Sequence, residues 1–145
     1  MTMTTAFTSQ ATIDRPAPEV WAALVNWDNA QHWMEGIEWL RADGPVEAGT
    51  TLTFRARGKD RPSMIAKVDP GSLLVLRSEQ GGVTADYHYR VRPIDATTSE
   101  VELTADCSTR GLVSLVGPLL RAAIRRSDSG QPANLKRLVE AGPLE

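Results

Sequence analysis

The chain has 145 residues, 41% of them hydrophobic and 23% charged, with 16 basic against 18 acidic side chains and a formal net charge of -2. That composition describes one ordinary globular domain over 1–145, and a chain of this length buries about 70% of its unfolded-state surface, enough for a core without staples. A single Cys107 excludes an internal disulfide, and with only His32 and His88 beside it a structural zinc site lacks ligands, so no metal or cofactor is expected. Basic residues gather only at Arg55, Arg57, Lys59 and Arg61, around one turn, which is too little for a nucleic-acid footprint. No basic leader precedes an apolar run, and no apolar run could span a bilayer; the expectation is a cytoplasmic protein without stable membrane insertion.

In chain order, Phe7, Ser9, Ala11 and Ile13 alternate with polar neighbours and read as a strand with one face turned inward. It ends at Asp14-Arg15-Pro16. Pro18 and Glu19 then suit a helix first turn, with Val20, Trp21, Leu24 and Val25 at helical spacing behind them. Asp28 is placed to cap a second short helix through Trp33.

From Ile37 to Ser108 turn residues break the chain into six strands: 37–42, 51–57, 64–68, 73–79, 83–92 and 100–108. Their connections are too short for crossovers, so they pair antiparallel. The last two alternate most clearly. Pairing Arg92 with Glu100 and Arg90 with Glu102 places opposite charges side by side on a wet face, and stacks Tyr89 on Leu103 and Tyr87 on Ala105 inside. After Gly111 the period becomes helical through Leu112, Leu115, Val116, Leu119, Leu120, Ala123 and Ile124, then Leu135, Leu138 and Val139, with a kink or break expected at Gly130 to Pro132.

A strand, two short helices, six antiparallel strands and a terminal helix resemble the helix-grip fold of the START-like (SRPBCC) superfamily, in particular its bacterial polyketide cyclase/dehydrase-like and lipid-transport-like proteins. The resemblance rests on Ile13 to Leu24, Asp28 to Trp33, Val46 to Thr50 and Asn134 to Leu138, and covers essentially the whole chain. It implies an α+β architecture in which a curved seven-stranded antiparallel sheet wraps around a long C-terminal helix, leaving a cavity between them. On the strand parity above, the inward set is Phe7, Trp39, Phe54, Met64, Tyr87, Tyr89, Leu103, Leu115 and Leu119, with Trp33 near the mouth. That lining is apolar and aromatic with two phenol hydroxyls, suited to a hydrophobic or aromatic ligand.

No catalytic residue is assigned from the sequence. His88 shares its parity with Arg90 and Arg92 and so faces solvent, as do Asp86, Glu102 and Asp106; His32 reads as a surface or mouth residue. Cys107 falls on the inward face, where a thiol packs as a small hydrophobe. Arg121 either joins a solvated helix face or closes the mouth over an acidic ligand.

Three functions fit this reading. The first is binding of a lipid, fatty-acyl or polyketide-like ligand. The second is a polyketide cyclase or dehydratase that folds its substrate and uses tyrosine acid/base chemistry. The third is a protein-interaction role such as a toxin of a toxin-antitoxin pair, on the loose resemblance of Gly117-Pro118-Leu119-Leu120. A monomer and a homodimer are equally compatible with the sequence.

Overall fold

The computed structural model describes residues 3–141. Seven strands, β1 (Thr4–Ile13), β2 (Ile37–Ala42), β3 (Thr51–Ala56), β4 (Lys59–Asp69), β5 (Leu73–Gln80), β6 (Val83–Pro93) and β7 (Ser99–Thr109), form one sheet in the order β1-β7-β6-β5-β4-β3-β2. All its pairings are antiparallel. Helices α1 (Ala17–Leu24) and α2 (Ala30–Trp33) follow β1, and α3 (Gly117–Asp128) and α4 (Gln131–Glu140) follow β7 after a 3-10 turn over Gly111–Val116. This is the helix-grip arrangement expected. The terminal helix is divided, as its Gly-Pro sequence predicts, at Ser129 and Gly130.

Among the described residues no helix is long and apolar enough to cross a membrane.

The core lies between the sheet and α1, α2 and α4. Ile13, Val20, Leu24, Leu52, Ile65, Leu74, Leu103 and Leu135 are fully buried there, with Trp33 against them. Trp33 and Tyr89 meet edge to face with ring centroids 5.7 Å apart. Trp33 is therefore a buried core residue that closes α2 onto the sheet, not a residue of the mouth. Polar contacts pin α4 at both ends. Lys136 Nζ donates to the Thr12 carbonyl at 2.8 Å, Arg15 donates to the Glu140 carbonyl at 2.9 Å, and Asn134 Nδ2 donates to the Trp33 carbonyl at 3.2 Å.

The β6–β7 hairpin has the register expected from its alternation: Arg92 faces Glu100, Arg90 faces Glu102, Tyr89 faces Leu103 and Tyr87 faces Ala105. Arg92 pairs with both Glu100 and, at 3.8 Å, Glu102. On the same outer face Asp86 is not a solvated charge. It is buried, and Arg77 on β5 grips both its oxygens at 2.7 and 2.8 Å. The cap before the second short helix also differs from expectation. The Asn26 side chain accepts from the Asp28 amide at 3.3 Å, and Asp28 lies inside the 3-10 turn Trp27–Asn29.

Bulges decide which residues face inward. Between Ile37 and Trp39 the β2–β3 register shifts, so Ile37 and Leu40 both turn inward and Trp39 lies outside, with the Arg41 guanidinium 4.1 Å from its ring centroid. A second shift between Ile65 and Lys67 lets Ile65 and Val68 both join the core, which puts Met64 on the opposite face, 37% exposed. A third, between Thr5 and Phe7, buries Ala6 and Phe7 together, and Arg125 of α3 donates to the Ala6 carbonyl at 3.0 Å.

Leu115 and Leu119 are likewise not inward: they are 80% and 72% exposed. The chain from Gly111 to Val116 is a 3-10 turn, whose three-residue period does not continue the 3.6-residue stripe of a helix. Within α3 the apolar side chains on the cleft side are Leu120 and Ile124.

Candidate ligand-binding site

A cleft opens between the concave face of β2 to β6 and the break between α3 and α4. Its inner lobe, about 260 Å³, is walled by Met34, Ile37, Leu40, Phe54 and Leu76, with Tyr87, Tyr89, Asp128 and Gln131 as polar groups. Phe54, Ala56, Arg57, Ser78 and Tyr87 are shared with an outer lobe of about 410 Å³, which adds Arg61, Gln80, Val83, Ala85, Leu120 and Ile124. Of the residues expected inside, Phe54, Tyr87 and Tyr89 line this cleft. Phe7, Trp33 and Leu103 are buried in the core beneath it, while Trp39, Met64, Leu115 and Leu119 lie outside it.

The two tyrosines, two positions apart on β6, aim their hydroxyls at the helix break. Tyr87 donates a hydrogen bond to an Asp128 carboxylate oxygen at the last residue of α3. Tyr89 donates to Gln131 Oε1 at 2.7 Å, at the first residue of α4. Sequence reasoning missed Asp128 and Gln131. The available signal was a carboxylate in the final turn of a helix, where the helix dipole disfavours negative charge, next to a Gly-Pro break.

Burial pushes the Asp128 carboxyl above the ordinary carboxylate range. Hydrogen bonds from Tyr87, Ser127 and Gln131 act against that shift, and the charge of Glu35 adds to it. Burial, with the neighbouring Asp128 charge, also drives the Tyr87 and Tyr89 hydroxyls well above the usual phenol value, so both remain neutral donors. The inner lobe thus sets an unusually basic carboxylate beside a permanent hydrogen-bond donor in an apolar wall.

The other sequence candidates lie apart from it. His88 is on the outer face with Nε2 3.4 Å from an Asp106 oxygen, and His32 is exposed. Cys107 is buried, and burial pushes its thiol up although Arg121 acts the other way; a protonated thiol is a poor nucleophile. Among the described residues no three His, Cys, Asp or Glu side chains gather as a metal site.

The fold agrees with what comparison with known proteins shows. Residues 4–140 match the profile of a family described as polyketide cyclase/dehydrase and lipid transport. The chain belongs to that family. Comparison with curated protein sequences found no match. Among solved structures, this family member is similar to the Zhui aromatase/cyclase of Streptomyces sp. R1128, with a TM-score of 0.78 and 17% identity over 99% of this chain and 100% of that one. It is also similar to a START superfamily protein of Mycobacterium smegmatis, with a TM-score of 0.74 and 10% identity over 93% and 97% of the two chains. The di-domain ARO/CYC BexL of the BE-7585A biosynthetic pathway matches with a TM-score of 0.74 and 21% identity; 99% of this chain is covered, against 48% of that two-domain protein. At these identities the likeness is one of fold.

Proposed function

We propose that this protein binds a small hydrophobic or aromatic molecule in the cleft between the sheet and the α3–α4 break. The observation that carries this reading is an apolar wall of Leu40, Phe54 and Leu76 around two aligned tyrosines, open to solvent on a scale of several hundred Å³. Small-molecule sites are concave and mostly apolar, with a few placed polar groups. Binding here removes apolar ligand surface from water at about 25 cal/mol per Å², while Tyr87 and Asp128 set orientation.

Native mass spectrometry of the purified protein, followed by extraction and titration of whatever co-purifies, tests this. The expected result is an aromatic or acyl molecule bound at near one per chain, with affinity reduced by Phe54→Ala. If no aromatic or acyl compound binds, or if Phe54→Ala leaves affinity unchanged, the reading is wrong.

A second reading, cyclisation and dehydration of a polyketone, is favoured by the Tyr87–Asp128 pair. A carboxylate made more basic by burial can take the proton from a carbon between two ketones, and the resulting enolate carbon attacks a further ketone of the same chain. One carbon–carbon bond forms, and the new alkoxide takes the proton back from Asp128. Loss of water from that alcohol then gives the unsaturated ring. The apolar walls supply proximity by holding the chain folded. Under this reading Asp128→Asn keeps binding but loses turnover of a linear polyketone, and unchanged turnover in Asp128→Asn rejects it.

A further inference from the structure

The charge of the cleft changes along its length. The inner lobe holds the carboxyls of Glu35 and Asp128 with Arg57 at its boundary, whereas the outer lobe has Arg57 and Arg61 on its wall and no acidic side chain among its lining residues. Of the arginines on these strands, Arg55 and Arg77 are compensated and these two are not. Arg55 is paired with Asp60 at 2.7 Å and with Glu38 at 3.6 Å, and Arg77 with Asp86. Arg61 donates to the neutral Gln80 at 2.6 Å, and among the described residues neither Arg61 nor Arg57 is ion-paired.

The backbone at Arg57 adds an independent observation. Arg57 and Gly58 form the two-residue turn between the paired Ala56 and Lys59, with φ of 54° and 74°. Such turns favour Asn or Gly at the first position, because L side chains rarely adopt left-handed backbone. Among the described residues Arg57 is the one non-glycine with positive φ, and its side chain borders both lobes.

Resting on the reading of the cleft as a ligand site, we propose that its ligand is an amphiphile with an anionic end. The carboxylate or phosphate lies at Arg57 and Arg61 in the outer lobe. A hydroxyl or carbonyl at the other end reaches the Tyr87–Asp128 pair in the inner lobe. Reversing the molecule sets its anion against Asp128 and Glu35, a like-charge contact in an apolar wall, so the lobes fix its direction.

The test is calorimetric titration at low ionic strength with 6-hydroxy-2-naphthoate and 2-naphthol, which share a ring pair and a hydroxyl and differ in the carboxylate. The naphthoate is expected to bind ~10-fold tighter, in line with a charge-assisted contact. Arg57→Gly with Arg61→Gln should abolish that preference by weakening the naphthoate while 2-naphthol still binds; glycine suits the turn, so the variant keeps its fold. Arg55→Gln, which removes one positive charge on the outer face, should leave the preference intact. Equal affinity of the two probes for the unmodified protein overturns the proposal, as does a preference that survives the double variant or falls equally with Arg55→Gln. If neither probe binds, the ligand-site reading falls and this inference with it.

Discussion

Tyr89, on β6, donates its hydroxyl to Gln131 Oε1 at 2.7 Å, and both residues are buried. The bond crosses from the sheet to the start of α4, so it fixes where the terminal helix resumes after its break. Leaving one buried partner unsatisfied costs about 1–3 kcal/mol, whereas removing both can be close to neutral. Gln131→Met should therefore lower stability by about that amount. The double variant Tyr89→Phe, Gln131→Met should lose less than the two single losses added together. Urea unfolding of the four proteins of this cycle measures it, and strict additivity would show that the bond couples nothing.

Asp128 predicts an unusual pH dependence. Its carboxyl is raised in the folded state, chiefly by burial, above the unfolded value of about 3.9. The folded protein thus takes the proton more readily than the unfolded chain. This group's contribution to stability is greatest in acid and falls as pH rises through its folded pKa. Asp128→Asn, whose amide oxygen can still accept from Tyr87, should be more stable than the parent at pH 7, with the gain vanishing below about pH 4. Urea midpoints at the two pH values decide it. A gain that grows in acid would show the opposite shift.

Much of the fold was legible because strict alternation leaves one register. In the β6–β7 hairpin Tyr87, Tyr89 and Val91 face in, and Arg90 and Arg92 face out, as reading every second residue gives. The same rule fails at Trp39 and Met64 because a bulge adds one residue to β2 and one to β4, which reverses parity beyond it. No side chain in either strand announces the extra residue. Leu115 and Leu119 were misplaced for a related reason: a 3-10 turn and an α-helix place the same apolar spacing on different faces. The Tyr87–Asp128 and Tyr89–Gln131 pairs join residues 41 and 42 positions apart, and only the packed terminal helices bring them together.

At the far end of α4, Glu140 behaves oppositely to Asp128. Its carboxyl is held below the usual range, first by the Asp14 amide, which donates at 2.9 Å, and then by Lys136 at 2.6 Å. The stabilisation it gives is present above the unfolded value of about 4.3 and is lost as pH falls through the lower folded pKa. Glu140→Ala should flatten the acid limb of the stability profile and speed hydrogen exchange of the Asp14 amide. An unchanged Asp14 exchange rate would mean this contact does not anchor the helix.

The leucines of the C-terminal segment separate packing from sequence pattern. Leu135 is 0% exposed within the core, whereas Leu115 and Leu119 stand largely in solvent although all three belong to the apolar periodicity of the segment. Truncating a buried leucine removes its transfer free energy and leaves a cavity, so Leu135→Ala should cost about 2–5 kcal/mol. Leu115→Ser and Leu119→Ser should each fall within about 0.5 kcal/mol of the parent, since neither leaves a void. Neither should weaken a ligand held at Phe54 and Tyr87, because both residues lie outside the cleft. Urea unfolding with ligand titration on the three variants checks this, and losses above about 2 kcal/mol at Leu115 or Leu119 would mean that they pack inward in solution.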